Sequence, residues 1–197
     1  MPDSLPKLPP GLAALLARAS VGPQRLTEPA PSDEALRLAV AAALRAPDHA
    51  GVKPWRFVAI SGDDRAAFGD FLAEAMARFR PDFPPDRIEK ERMRPSRAPL
   101  FIVAGASIRH GFKIPVWEQQ ASAAAGVMNF LNALDAQGFG AFWASSPGLE
   151  NPEVKKALGF EEGDMLLGWI MVGTPTAERT RPMRPEPDAF LRRWTKP

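Results

Sequence analysis

The 197-residue chain contains no cysteine, no tyrosine and only two histidines, His49 and His110. Without cysteine the protein has no disulfides, no thiol nucleophiles and no cysteine-ligated metal sites. With two histidines a transition-metal site would depend mainly on carboxylates, so we expect no bound metal. These absences favour a reaction in which a bound cofactor, and not a protein side chain, performs the chemistry.

Charge and hydropathy patterns exclude further classes of protein. The 25 basic and 23 acidic residues give a net charge of +2, which is too weak a field to predict a nucleic-acid partner. The longest charge-free stretch, from Gln119 to Leu134, is too polar and too short to span a membrane. The first residues lack the pattern of a signal peptide. We expect one cytoplasmic domain over residues 1–197 that binds neither nucleic acid nor membrane.

Proline and glycine divide the chain into helical and strand-like segments. The patterns predict helices over 12–19, 33–46, 63–79, 118–135 and 151–158, strands over 55–61, 99–108, 139–145 and 165–173, and a mobile, partly helical excursion over 81–95. No glycine-rich phosphate loop of the Rossmann or P-loop type is present. The order of elements therefore predicts an α+β sandwich.

The predicted helix between Glu118 and Asp135 carries no charge and is rich in alanine, glycine and serine. A helix that is apolar nearly all round must be buried all round. In a domain of this size a second copy of the chain is the simplest cover, so the pattern predicts a homodimer. The apolar residues of the C-terminal AFLRRW segment need a docking surface in the same way.

Two groups of polar residues near helix ends have two interpretations each. Arg18, Ser20 and Arg25 form an anion site or, alternatively, a helix-end cation with a solvated loop. Arg45 and His49 bind a ligand or merely end their helix, with Pro47 as the terminator and Asp48 in an Asx-type turn. Spacing alone does not separate these interpretations.

Trp117 and Glu118 begin the charge-free helix and have a structural interpretation of their own. A glutamate in the first turn is favourable at a helix N-terminus, and a tryptophan there is commonly a core anchor.

Four segments, in order along the chain, resemble the FMN-dependent nitroreductase family, and most closely its small YdjA-like branch. The segments are RAPDHAGVKPW (45–55), IPVWEQQASAA (114–124), AQGFGAFWASS (136–146) and VGTP (172–175). The resemblance covers nearly the whole chain. It implies an α+β nitroreductase-like fold with a mixed central sheet flanked by helices. It also implies an intertwined homodimer with two FMN molecules at the interface and a C-terminal arm that reaches the partner.

The resemblance also assigns site residues. Arg18, Ala19 and Ser20 match the phosphate site, where Ala19 replaces a basic residue. The other implied cofactor contacts are Arg45 and His49 from the opposite subunit, the flavin-lining Trp143, Ala144 and Ser145, and Arg181, with Arg179 as a further candidate. Relatives often carry arginine at the Ala144 position. The substrate slot is assigned to Trp117, Gln137 and Gly138.

The implied reaction is a ping-pong transfer of a hydride from NADH or NADPH through FMN to a small electron acceptor, such as a nitro compound or a quinone. Because the flavin carries this chemistry, no protein side chain is assigned as catalytic. Arg45 and His49 contact either the phosphate or the flavin ring. Three alternatives stay open: a flavin carrier or sensor with little turnover, a different flavin reaction, and an α+β interaction module with a basic tail.

Overall fold

The computed structural model describes residues 8–177 and 183–196. In chain order the helices and strands are α1 (Pro10–Ala17), β1 (Leu26–Thr27), α2 (Asp33–Ala43), β2 (Trp55–Ser61), α3 (Asp64–Phe79), α4 (Pro85–Met93), β3 (Leu100–Ala106), α5 (Val116–Ala136), β4 (Gly140–Ala144), α6 (Pro152–Ala157) and β5 (Met165–Pro175). The predicted strands and helices form close to their expected positions. Ser32 is the N-cap of α2, since its Oγ accepts a hydrogen bond from Ala35 N–H at 3.2 Å.

Strand β5 is the centre of a five-stranded sheet. It pairs with β3 on one edge and with β4 on the other, it pairs with β1 near its end, and β2 lies beyond β3. The registers place Phe101 opposite Met171 and Trp143 opposite Ile170. The end of β4, where the flavin-lining segment was predicted, therefore lies beside the middle of the central strand.

All four strand pairings among the described residues are antiparallel, so the mixed sheet expected from the resemblance is wrong for this part of the chain. The reason lies in the strand order. Helix α5 returns the chain to the end of the sheet where β3 begins, so β3 and β4 run in the same direction. They do not pair, because β5 lies between them and runs opposite to both.

Helices cover both faces of the sheet, which gives two hydrophobic cores. On one face Phe101 and Trp169 pack with Leu72 and Met76 of α3. On the other face Ile102 and Ile170 belong to a cluster that includes α2 and α5 residues such as Phe130. Since successive side chains of a strand point to opposite faces, β3 is buried along its whole length, as its continuous apolar run predicts.

The charged segment over 81–95, expected to be a mobile, partly helical excursion, contains helix α4, which packs against α3. Its Glu91 is buried, with 5 % of its surface exposed, and pairs with Arg94. The partial helix was expected, but the burial of Glu91 was not, because the composition of a segment does not show which single charge has a buried partner.

Helix α5 is buried on the side that faces the sheet and α2, but Trp117 and Met128 remain exposed on its other side. The C-terminal segment over 183–196 is exposed as well, including Phe190, Leu191 and Trp194. In the described ranges no helix is both long and apolar enough to cross a membrane.

Candidate functional site

The predicted phosphate-binding residues follow the end of α1. Arg18 caps this helix, with its backbone N–H bonded to Ala14 O at 3.1 Å. Its side-chain Nε is buried and has no hydrogen-bond partner within the part of the chain that the structure describes. Ala19 is buried and Ser20 is exposed. A buried guanidinium N–H without a partner can bind an anion, since an unmade hydrogen bond at a buried donor is unfavourable.

The segment after Arg18 is fastened to the sheet. Val21 N–H donates to Ala141 O of β4 at 3.0 Å. Gly140 allows this close approach, because a Cβ at that position would lie 3.0 Å from Val21 and 2.8 Å from Leu26. Arg18 and Ser20 therefore lie near the beginning of β4, and the flavin-lining candidates lie at its end.

Trp143 lies near the end of β4 with 39 % of its surface exposed. Its indole N–H donates to Leu167 O at 3.1 Å, which holds the ring over β5. Gly168 makes room for the ring, because a Cβ there would lie 2.1 Å from Trp143 Nε1. Next along the chain, Ala144 is half-buried and Ser145 is exposed in an open cavity of about 860 Å³ that Arg80, Gln120 and Lys155 also line.

A buried network supports the turn that follows Ser145. The hydroxyl of Ser146 donates to Glu91 Oε2 at 3.0 Å and accepts from the indole N–H of Trp169 at 2.9 Å. Glu91 also accepts two hydrogen bonds from Arg94, at 3.0 and 2.7 Å. Sequence interpretation missed these residues, although the Glu91–Arg94 spacing of three is that of a helical ion pair. The network links α4 to the turn of the candidate site.

The turn after α2 places His49 beside the first turn of α5. His49 Nδ1 lies 2.8 Å from Glu118 Oε2. The Asx-type turn predicted at Asp48 closes on Lys53, whose backbone N–H donates to Asp48 Oδ2 at 3.0 Å. His49 and Glu118 share an open groove of about 330 Å³ with Trp117, which is 66 % exposed.

Arg45 is exposed in a second open groove of about 410 Å³ between α1, α2 and α5. The groove also includes Leu15 and Asn132, and Oδ1 of Asn132 is buried with no partner among the described residues. Arg45 is therefore accessible to a ligand or to a second protein chain.

Gln137 and Gly138 lie at the C-terminal end of α5. Gln137 Nε2 donates to Ala35 O at 3.2 Å and to Ala133 O at 3.0 Å, so its amide ties α5 to α2. Gly138 has the positive φ of 89° that is common just after a helix. Trp117 lies about 30 Å away at the other end of α5, by the helical rise of 1.5 Å per residue. Within a single chain the structure does not bring the three predicted slot residues together.

The remaining predicted residues contribute less to the site. Arg25 is half-buried, and its carbonyl accepts a hydrogen bond from Thr176 N–H at 3.0 Å. Arg179 and Arg181 lie outside the described residues. No group of three His, Asp or Glu side chains that could hold a metal ion occurs in the described ranges.

Surface ion pairs shift the pKa values of several residues. A hydrogen bond from Arg78 lowers the pKa of Glu153, and a hydrogen bond from Arg80 lowers the pKa of Asp82. Of these four residues Arg80 lines the cavity beside Ser145. This arginine keeps its charge at any physiological pH.

Comparison with known proteins agrees with this geometry. The family model described as "Nitroreductase family" matches residues 16–174. A protein of Escherichia coli strain K12 named "Putative NAD(P)H nitroreductase YdjA" is 39 % identical over 169 residues, which cover 85 % of this chain and 91 % of that protein.

Solved structures show the same fold. A nitroreductase-like family protein from Bacillus cereus superposes with a TM-score of 0.78 at 20 % identity, over 96 % of this chain and 98 % of that chain. A structure from Desulfovibrio desulfuricans, titled as a "putative nitroreductase in complex with fmn", gives 0.71 at 25 % identity, over 96 % and 100 %. The chain belongs to the nitroreductase family.

Proposed function

We propose that this protein is an FMN-dependent oxidoreductase that transfers a hydride from NADH or NADPH to a small electron acceptor, a nitro compound or a quinone, by a ping-pong mechanism. FMN would supply the hydride transfer, and the protein would supply binding and orientation. The E. coli relative named as an NAD(P)H nitroreductase and the D. desulfuricans neighbour titled as an FMN complex support this assignment.

The observation that carries the proposal is the buried, unpartnered Nε of Arg18. It occurs at the position that the family resemblance assigns to the FMN phosphate, and a phosphate oxygen would satisfy it. Ser20, which is exposed two residues later, would add a hydroxyl donor. Ala19 is only 3 % exposed, so it contributes no side chain to an anion. The donor set that remains fits a phosphate group.

The end of β4 would hold the planar part of the cofactor. Trp143 offers a flat, half-exposed ring whose orientation is set by its hydrogen bond to Leu167 O. The Glu91–Ser146 network would keep the adjacent turn in its conformation when the flavin ring packs against it. Trp143, Ala144 and Ser145 would then orient the flavin and limit the access of water to one of its faces.

The distribution of the site residues favours a homodimer. Arg18 and Ser20 lie toward the C-terminal end of α5, and His49 lies at its N-terminal end. In a two-fold dimer every contact occurs twice, so an arrangement in which one end of α5 meets the opposite end in the partner would complete two identical sites. His49 and Arg45 of each chain would thus contact the cofactor held by the other chain.

Exposed apolar side chains give this dimer a driving force. Large apolar residues are exposed on α1, α2 and α5: Leu12, Leu15, Leu16, Leu38, Leu44 and Met128. Exposed patches of this kind mark interaction surfaces. Phe190, Leu191 and Trp194 of the C-terminal arm would pack on the partner in the same assembly. We propose that residues 1–197 form one such domain, working in the cytoplasm where NADH and NADPH are available.

The test is an absorption spectrum of the purified protein, recorded anaerobically before and after addition of NADH or NADPH. We expect a flavin band that either nucleotide bleaches and that an added quinone restores. A bound flavin that neither nucleotide reduces would instead favour the carrier or sensor function. Protein that holds no flavin and takes up no added FMN would refute the proposal.

A substitution at Arg18 tests the phosphate contact. Arg18→Gln should weaken FMN binding about tenfold or more, because a charged hydrogen bond contributes about 1.5–3 kcal/mol. Arg97→Gln is the matched control, since Arg97 is exposed near the start of β3. Equal FMN affinity in both variants would show that Arg18 does not bind the phosphate.

A further inference from the structure

The pair formed by His49 and Glu118 joins two parts of the chain that the sequence separates by 69 residues. Nδ1 of the imidazole lies 2.8 Å from Oε2 of the carboxylate. The side chain of His49 is 65 % exposed and that of Glu118 is 28 % exposed. The glutamate thus lies below the imidazole, which faces the open groove.

The backbone beneath this pair is held by independent contacts. Ser122 Oγ donates to Pro47 O at 2.6 Å, which fastens the turn to α5. The indole N–H of Trp55 donates to Ser122 O at 2.9 Å, and Lys53 N–H closes the turn on Asp48. Because these bonds fix the turn relative to α5, they keep the backbones of His49 and Glu118 close enough for the two side chains to meet.

The chemistry of the pair decides which imidazole nitrogen is free. An ionised carboxylate only accepts hydrogen bonds, so the nitrogen that faces Glu118 must carry a proton. Nδ1 is therefore the donor to Glu118, and Nε2 is left for a ligand in the groove. Among the described residues no other charged side chain lines the groove, whose remaining walls are Pro47, Trp117, Ala121, Ser122 and Ala125.

We propose that Glu118 is a positioning residue that holds His49 in its Nδ1–H form and presents Nε2 to the FMN of the partner subunit. This inference rests on the proposed function for the identity of the ligand. A glutamate that served only the N-terminus of α5 would stabilise the helix whatever residue occupied position 49. The two roles therefore differ in what happens to the imidazole when Glu118 is removed.

Nuclear magnetic resonance of the imidazole nitrogens tests the tautomer without any cofactor. The chain has only two histidines, so two sets of signals are expected. At about pH 8.5, where imidazoles are generally neutral, His49 should carry its proton on Nδ1. Glu118→Ala should move that proton toward Nε2, and Glu118→Gln should restore the Nδ1–H form, because its amide oxygen is still an acceptor.

His110 is the internal control, because its Nε2 bonds to Gly163 O at 2.9 Å, away from Glu118. Its signals should be the same in all variants, and any change would reveal a general disturbance of the fold. If the His49 tautomer stays the same in Glu118→Ala, the inference is overturned, since Glu118 would then not determine which imidazole nitrogen carries the proton.

FMN affinity, measured by quenching of flavin fluorescence, tests the second half of the inference. Glu118→Ala should weaken binding by about tenfold, the effect of one oriented hydrogen bond, and Glu118→Gln should restore it. In His49→Ala the further change Glu118→Ala should have no added effect, because both changes remove the same contact. Independent, additive losses would overturn the positioning role. If no variant and no wild-type protein binds FMN, the proposed function fails, while the tautomer result still decides the His49–Glu118 pair.

Discussion

Glu91 offers a sharp test of how the fold supports its candidate site. This carboxylate is buried at 5 % exposure and accepts hydrogen bonds from Arg94 and from Ser146. The change Glu91→Gln keeps the size of the side chain and one acceptor oxygen but removes the charge. Arg94, whose side chain is 16 % exposed, is then left without its ionic partner.

The size of the effect follows from burial. Removing one member of a buried ion pair costs about 3–5 kcal/mol, because the other charge stays out of water without compensation. Arg94 retains some access to solvent and the glutamine still accepts one bond, so we expect about 3 kcal/mol. Since whole domains are stable by about 5–15 kcal/mol, this single change would remove a large share of the free energy of unfolding.

The assay is equilibrium unfolding in urea, followed by far-ultraviolet circular dichroism on cofactor-free protein. The protein concentration is kept constant, because ligand binding and self-association both raise apparent stability. Glu89→Gln is the matched control. Glu89 lies on the same helix and pairs with Arg92 at 3.1 Å, but its side chain is 58 % exposed. Exposed pairs contribute little, so this variant should lose only a small fraction of what Glu91→Gln loses.

The indole N–H resonance of Trp169 gives a second readout, because it reaches Glu91 through Ser146 Oγ. It should shift in Glu91→Gln and stay in place in Glu89→Gln. Two results would refute the reasoning that burial makes this pair stabilising. One is an equal loss of unfolding free energy in the two variants, and the other is a Trp169 resonance that does not shift in Glu91→Gln.

Three further substitutions have clear expected results. Gly126→Ala should cost about 1–3 kcal/mol of unfolding free energy by overpacking, since its Cβ would lie 2.4 Å from Trp55 Cδ1. Asn151→Ala should cost about 2–3 kcal/mol, because this buried side chain caps α6 at 2.9 Å and donates to a carbonyl of α3 at 3.0 Å. Arg78→Gln should raise the pKa of Glu153 toward its ordinary value, measured by carboxyl titration in magnetic resonance. Because the folded pKa lies below the unfolded one, the pair stabilises above the unfolded pKa and the effect is lost as pH falls through the folded pKa.

The controls come from the same chain. Gly11→Ala on α1 meets nothing within 4 Å and should cause no loss of stability. The titration of Asp82, whose pKa is lowered by Arg80, should be the same with and without Arg78. A Gly126→Ala protein as stable as Gly11→Ala would show that Trp55 moves freely, and unchanged stability in Asn151→Ala would contradict the capping role.

Local sequence was sufficient for most of the secondary structure. Strand β2 has the predicted bounds of 55–61, because an apolar run with aromatic and β-branched residues stands between Pro54 and Gly62. Helix α5 follows from a long stretch that has no proline and carries no charge between Glu118 and Asp135. These signals depend only on residues a few positions apart, so they can be recognised in the sequence without knowledge of the tertiary contacts.

The candidate site was only partly predictable. The motif at 45–55 pointed to His49, but Glu118 was interpreted only as a helix N-terminal charge, because nothing in the sequence indicated that the two would lie 2.8 Å apart. The buried role of Glu91 was hidden for the same reason, since its partner Ser146 is 55 residues away. The assignments of Arg18, Trp143 and the slot residues to FMN and substrate remain predictions.

The sequence by itself determined the family and most of the helices and strands, because these depend on composition, periodicity and short motifs. It also predicts which residues meet a flavin phosphate. Only the tertiary structure decided that β5 separates β3 from β4, so that the described sheet is antiparallel. It also placed Arg18 and His49 toward opposite ends of α5 and brought Glu118 to His49 and Glu91 to Ser146. Such contacts join distant parts of the chain, and which of them form depends on how the helices and the sheet pack together.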